Sequence, residues 1–429
     1  MADLLELVAS PDRKNVLSMN SETEIRLLLK LWPSAELRNI EPKIDTSIAL
    51  VFDCSSSMLD DNKLETAIES AKMIVDTIHE TQKLTLIAFG SRIHLLVDNA
   101  LPTADEKENI KSQIEQIRTL AGGSTNMKDA IHDAQKALQR SKSSAKVMVV
   151  LSDGAADSTE AAESAAGEAT KVGIQIFAVG IGADYEADSL LNLAKPSNGT
   201  VFGESEADKI KATFVTLISR IETFVATNAK LDIKFSDKVN VGLAFKASPE
   251  QAFLGNTILE DGHAIFNVGN IEKDKVYAFL CLVSVPQWDP GDFKVCDVKL
   301  IYDVPVKALT GVMQEVPVTI TYTKDRKQTE SVNGEVLDYF RRSNMTQLAE
   351  RFVEAHRNGD SAQCAKYIKI LIRRYEEIND VANVNHYKQI LEELIAKGVI
   401  SNEALNASVV ASTVVAGGGE LPSLVDDSF

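Results

Sequence analysis

The chain has 429 residues, 45% hydrophobic and 25% charged; most of it should fold, and its length suggests about three domains rather than one core. Sixty-two acidic against 45 basic side chains give a net charge of −17. This excludes the basic footprint of a nucleic-acid binder and suits a partner that is a cation or a basic surface.

The N-terminus lacks the basic and apolar regions of a secretory signal, and no apolar run approaches the roughly 18 residues that span a bilayer. Cys54, Cys281, Cys296 and Cys364 show neither zinc nor disulfide-framework spacing. Free, buried thiols in a cytoplasmic protein are therefore expected. Cys281 and Cys296 could face each other on neighbouring strands, with a reducing compartment against a bridge.

Within residues 1–44, the run TEIRLLLKLW at 23–32 has strand character. It is expected to join a later β-sandwich, which would make the following α/β domain an insertion. In that domain, residues 45–227, apolar strands alternate with amphipathic helices. SIALVFD and KLTLIAF read as buried strands and RIHLLV as a short third one. The helix between the first two carries Leu64, Ile68, Ala71, Ile74, Val75 and Ile78 at helical spacing. Helices are predicted over 107–120, 126–141, 158–172 and 207–225, with a short helix before the last and strands at AKVMVVLSD and IQIFAVGIG. Near-continuous apolar strands between helices imply a doubly wound, mostly parallel sheet, with ligands beyond the strands' carboxyl ends.

Residues 228–325 change to short alternating runs broken by Gly, Pro and Asp, which reads as an antiparallel β-sandwich. Residues 332–400 carry three helical patterns and read as a helical module. The last part, 401–429, combines small and β-branched residues, a glycine linker and an acidic end, and is expected to be a flexible tail. Its β-branched run could alternatively add to the sheet edge of another chain.

Asp53, Ser55 and Ser57 stand at the end of the first parallel strand and in the loop after it. VVLSDG sets Asp153 at the carboxyl end of another strand, and AGGSTNM between them places Thr125 after a tight Gly122–Gly123 loop. These loops should meet at one rim. Two carboxylates and three hydroxyls are hard oxygen donors without His or Cys, a set that suits Mg2+.

In DCSSS, GGST and SDG the pattern resembles the metal-ion-dependent adhesion site (MIDAS) of von Willebrand factor A (VWA) domains, and IFAVGIG is similar to the family's penultimate strand. The resemblance implies that Ser55, Ser57 and Thr125 offer hydroxyls to a Mg2+ ion (or Mn2+ or Ca2+), with Asp53 and Asp153 acting largely through water. It implies an open metal position filled by an Asp or Glu of a partner protein, hence a scaffold rather than an enzyme. Ser56 departs from the family, where glycine is frequent. Cys54 points away from the alternating ligands and reads as a packing residue. The order of parts resembles bacterial multidomain proteins of the family, and an AAA+ ATPase of the MoxR type is a partner that the resemblance suggests. Homo-oligomerisation is a further expectation: Glu420, Asp426 or Asp427 of one subunit would reach another subunit's metal, against the alternative of a solvated tail.

Two rivals stand beside this reading. A metal-dependent hydrolase would need a nucleophile and a base, but FDCSSSM lacks a GxSxG elbow and no histidine lies near a matching acid in sequence. His132, on the helix after Thr125, could approach the rim as a supporting group. The other rival is a structural assembly protein with a vestigial metal site.

Overall fold

The computed structural model describes residues 3–413 apart from 19–20, 155, 183, 205–206 and 258. Strands β1 (Leu5–Pro11), β2 (Asn15–Leu17) and β3 (Thr23–Pro33) come first, followed by one helical turn, α1 (Ala35–Arg38). Alternation sorts β3 by face: Ile25, Leu27, Leu29 and Leu31 enter one core and Leu28 the opposite side.

The α/β domain then runs β4 (Thr46–Asp53), α2 (Lys63–Thr77), β5 (Gln82–Phe89), β6 (Ile93–Ala100), α3 (Ala104–Leu120) and α4 (Met127–Arg140). It continues with β7 (Ala145–Ser152), α5 (Thr159–Lys171), β8 (Ile174–Ile181), α6 (Ala187–Ala194), β9 (Val201–Glu204) and α7 (Ala207–Glu222). Its sheet has the order β6-β5-β4-β7-β8-β9, parallel except for β6. Every residue of β4 and β8 is buried, as a sheet covered on both faces requires. Ile48, Leu50 and Phe52 pack with α2, α3 and α7 on one side; Ala49 and Val51 pack with α4 and α5 on the other.

Seven strands follow: β10 (Phe224–Phe235), β11 (Asn240–Ser248), β12 (Ala252–Asn256), β13 (His263–Glu272), β14 (Tyr277–Val285), β15 (Gly291–Val304) and β16 (Leu309–Thr323). They form two facing sheets with the N-terminal strands, in the orders β1-β3-β14-β11-β12 and β13-β10-β15-β16-β2. Leu31 of β3 lies opposite Tyr277 of β14, so the α/β domain is inserted into the sandwich. Cys281 and Cys296 sit on β14 and β15, strands of different sheets rather than neighbours, because their alternation turns both thiols into the shared core. All four cysteines are free and buried.

Helices α8 (Gly334–Arg357), α9 (Ser361–Glu377), α10 (Val381–Lys397) and α11 (Asn402–Thr413) complete the described chain. Side chains of Asn333, Asp360 and Asp380 cap α8, α9 and α10 by accepting from first-turn N–H groups. Near its start α8 places Val336 against Leu28, Phe245 and Leu280 of the sandwich, while Phe352 and Val353 join the core that α4, α5 and α6 share.

Helix α11 corrects the expectation of a flexible tail from residue 401. Asn406 donates to the Tyr185 carbonyl and accepts from the Ala187 N–H at 3.3 Å, and Ser408, Val409, Ser412 and Thr413 are buried. These groups fasten α11 because hydrogen bonds and small-residue packing replace the apolar stripe that marks a helix in sequence. Residues 414–429, with Glu420, Asp426 and Asp427, lie outside the described residues.

Candidate metal centre

Asp53 is the last residue of β4, at the carboxyl end of the parallel sheet. Its Oδ1 accepts from the Ser55 N–H at 2.8 Å and its Oδ2 from the Ser152 hydroxyl at 2.5 Å. The same Ser152 oxygen accepts from the Gly154 N–H at 3.0 Å, so the turns after β4 and β7 are tied together through one side chain. Ser55 Oγ and Ser57 Oγ lie 3.2 Å apart. Between them, exposed Ser56 turns outward while Cys54 and Met58 are buried. The Cys54 thiol donates to the Phe89 carbonyl at 3.2 Å and is pushed up to about 12 by burial, with the Asp53 charge adding to it. It packs; it is no nucleophile.

The 122–125 loop is stitched against this turn. Gly122 N–H donates to the Cys54 carbonyl at 2.7 Å, Ser56 N–H to the Gly123 carbonyl at 3.0 Å, and Gly123 N–H back to Ser56 Oγ at 2.9 Å. Serine at position 56 thus supplies an acceptor that glycine would lack. Gly123 has φ +85°, and a Cβ there would fall 2.2 Å from Ser91 Oγ. Thr125 is held by a reciprocal pair with Asp157: its N–H donates to Asp157 Oδ1 at 2.9 Å, and Asp157 N–H donates to its carbonyl at 3.1 Å.

Asp153 follows β7, and its carbonyl accepts from the Glu186 N–H at 2.8 Å. Its Oδ2 lies 3.3 Å from Lys63 Nζ, whereas its Oδ1 is buried without a hydrogen-bond partner. Lys63, only 4% exposed, also reaches Asp184 Oδ1 at 2.7 Å. Burial opposes the ammonium charge of Lys63, but the hydrogen bond to Asp184 and the charge of Asp153 raise its pKa on balance. Burial lifts Asp53 from 3.8 to about 6, against the lowering bonds from Ser152 and Ser55, and Asp153 adds repulsion.

These residues fit a hard divalent cation. Asp53, Ser55, Ser57 and Asp153 converge at one rim, and Thr125 follows the loop hydrogen-bonded to that rim. Asp153 Oδ1 is an orphaned buried acceptor that a metal-bound water or a cation would satisfy. Among the described residues no three His, Cys, Asp or Glu side chains form a metal cluster, so any site here depends on hydroxyls.

His132 does not support the rim. Its Nε2 faces Glu168 at 3.3 Å, an interaction between α4 and α5. His79, His263 and His386 pair with Glu222, Asp232 and Ser408. The sequence reading missed Lys63, Ser152, Asp157 and Asp184. Only Ser152, adjacent to Asp153, lay within a motif already singled out.

The family model described as the von Willebrand factor type A domain matches residues 47–216. An uncharacterized protein of Synechocystis is 23% identical over 362 residues, spanning 82% of this chain and 83% of that protein. Among solved structures, a von Willebrand factor type A protein from Catenulispora acidiphila superposes with a TM-score of 0.80 at 16% identity, covering 97% of each chain. The ArnB paralogue VWA2 from Sulfolobus acidocaldarius gives 0.65 at 16% identity, covering 96% of this chain and 98% of that one. The fold likeness therefore extends through the sandwich and the C-terminal helices.

Proposed function

We propose that this protein, whose inserted α/β domain is a von Willebrand factor type A domain, is a non-enzymatic scaffold that binds an acidic side chain of a partner through a divalent cation. The observation that carries this reading is the donor set: two serine hydroxyls 3.2 Å apart beside a buried carboxylate whose Oδ1 has no partner. Ser55, Ser57 and Thr125 would hold the ion directly, and Asp53 and Asp153 largely through water. When bound, Mg2+ (or Mn2+ or Ca2+) supplies a Lewis-acidic position for a carboxylate.

The chain's own groups set the charge balance. Two carboxylates neutralise one dication, and Lys63 offsets part of Asp153, so the rim keeps an attraction for an incoming anion. Leu59, 54% exposed in the same 3-10 segment as Ser57 (Ser56–Asn62), offers apolar contact beside it. Against a hydrolase stands the bonding of Ser55 and Ser57, which among the described residues have no histidine partner. A cytoplasmic location, self-association and service to a MoxR-type AAA+ ATPase belong to the same proposal. No helix among the described residues is long and apolar enough to cross a membrane.

The test is calorimetric Mg2+ binding to the full chain and to Asp53→Ala and Ser55→Ala, followed by partner capture with Mg2+ or with EDTA. Saturable binding lost in both variants, with a partner set that disappears in EDTA, is expected. A wild-type chain that takes up no Mg2+, Mn2+ or Ca2+ at millimolar concentration would refute the metal bridge.

A further inference from the structure

A cleft of about 650 Å3 opens between the mouth of the sandwich and the α5 end of the α/β domain. In a chain of net charge −17, four lysines line it (Lys171, Lys195, Lys230 and Lys246) against a single carboxylate, Glu260. Lys195 and Lys246 are occupied by Glu350 and Glu250 at 3.1 Å each. Lys171 and Lys230 have no carboxylate partner among the described residues. Asn198, 3% exposed, lines the same cleft, and its Oδ1 has no hydrogen-bond partner. Thr257 Oγ1, also on the wall, is buried and unpartnered.

Two strand edges border this space. β13 is the outer strand of its sheet and pairs with β10 alone; β12 is the outer strand of the other and pairs with β11 alone. Edge strands in folded proteins are normally blunted by charge, proline or cover. From Val268 on, β13 is covered by the α/β domain, with Asn198 Nδ2 donating to the Val268 carbonyl at 2.8 Å and Asn270 bonded to Gln175, whereas its first half presents Ile265, 53% exposed.

A small inorganic anion would answer the lysines but leave Ile265 and the strand edge unmet. An extended acidic peptide meets all of them. Its N–H groups serve the open first half of β13, its carboxylates serve Lys171 and Lys230, and its apolar side chains cover Ile265 and Leu254. We propose that this cleft docks an extended acidic segment of a partner protein as an added strand along β13, a site separate from the metal centre and independent of metal.

The test is fluorescence anisotropy of the full chain, in EDTA, with a labelled decapeptide alternating valine and glutamate. Controls are the valine–glutamine peptide and an N-methylated version that cannot complete a strand ladder. Saturable binding is expected for the acidic peptide, about tenfold weaker or less for each control and for the double variant Lys171→Ala/Lys230→Ala. Both lysines are solvent-accessible, so circular dichroism of the variant should match the wild type. Equal affinity for the acidic and neutral peptides, an unaffected double variant, or no binding at all would overturn the proposal. Binding that emerges only after residues 414–429 are removed would overturn it too, by assigning the cleft to the chain's own acidic end.

Discussion

Replacing Asp53 by asparagine should stabilise the metal-free protein at neutral pH and have no such effect in acid. Asp53 is fully buried, and its pKa rises from 3.8 to about 6 mainly because burial penalises the charge. A folded-state pKa above the unfolded value means that the fold prefers the protonated acid. The cost is therefore absent below pH 3.8, grows as pH rises from 3.8 to 6, and is complete above 6. About two pKa units at 1.36 kcal/mol each give about 3 kcal/mol. Asparagine keeps an oxygen for the Ser55 N–H and carries no charge to bury. For a domain of this size, 3 kcal/mol corresponds to on the order of 6–12 °C. Thermal unfolding of wild type and Asp53→Asn in EDTA, at pH 4 and pH 7.5, reads the difference. The variant should melt higher only at pH 7.5, and added Mg2+ should raise the wild type alone. A variant that melts no higher at pH 7.5, or whose advantage is equal at both pH values, would refute the reasoning. The same proton competes with the cation, so Mg2+ affinity should fall about tenfold per unit below pH 6.

Three further perturbations follow from the geometry. Lys63→Met leaves Asp153 as an uncompensated buried carboxylate and should cost about 3–5 kcal/mol in EDTA; thermal unfolding should show Mg2+ restoring more to this variant than it adds to wild type. Gly123→Ala places a Cβ against Ser91 at a backbone angle that disfavours side chains and should cost about 1–3 kcal/mol; calorimetry should show weaker Mg2+ binding together with a lowered melting temperature. Arg220, at the end of α7, bridges Glu250 at 2.8 Å and Glu272 at 2.7 Å, both on the sandwich side. Arg220→Met should cost about 3–5 kcal/mol by stranding Glu272 and leaving Glu250 to Lys246 alone, and urea unfolding should then separate the α/β domain from the sandwich.

The parts of this fold that declared themselves in sequence were those whose neighbours are close in the chain or whose burial is apolar. The five apolar residues Ile48–Phe52 before Asp53 read as a covered strand because none of them has a polar side chain to face water, and Ser55 and Ser57 keep period two beyond Asp53. Helix α11 was illegible because its buried face is mostly polar, Asn406, Ser408, Ser412 and Thr413 around Val409, residue types that favour loops and caps over helix interiors. Lys63 was missed for a related reason. A lysine opening a helix normally points to solvent, and only the fold reveals Asp153 and Asp184 closing over it. The Cys281 and Cys296 placement failed because sequence spacing cannot tell two strands in one sheet from two strands facing across a core.

The insertion of one domain into another also imposes a timetable on synthesis. The backbone N–H of Leu5 donates to the hydroxyl of Tyr302, 297 positions later, and β3 lies between β1 and β14. At elongation rates of about 5–20 residues per second, the N-terminal strands wait roughly 15–60 s for the strands that cover them. Meanwhile the α/β domain between them, whose sheet closes within its own segment, can fold first. Leu27, Leu29 and Leu31 are then apolar surface on a nascent chain that already carries a finished domain. Damage that slows translation through residues 224–323 should surface as aggregation of newly made protein, while molecules that have completed the sandwich keep their stability.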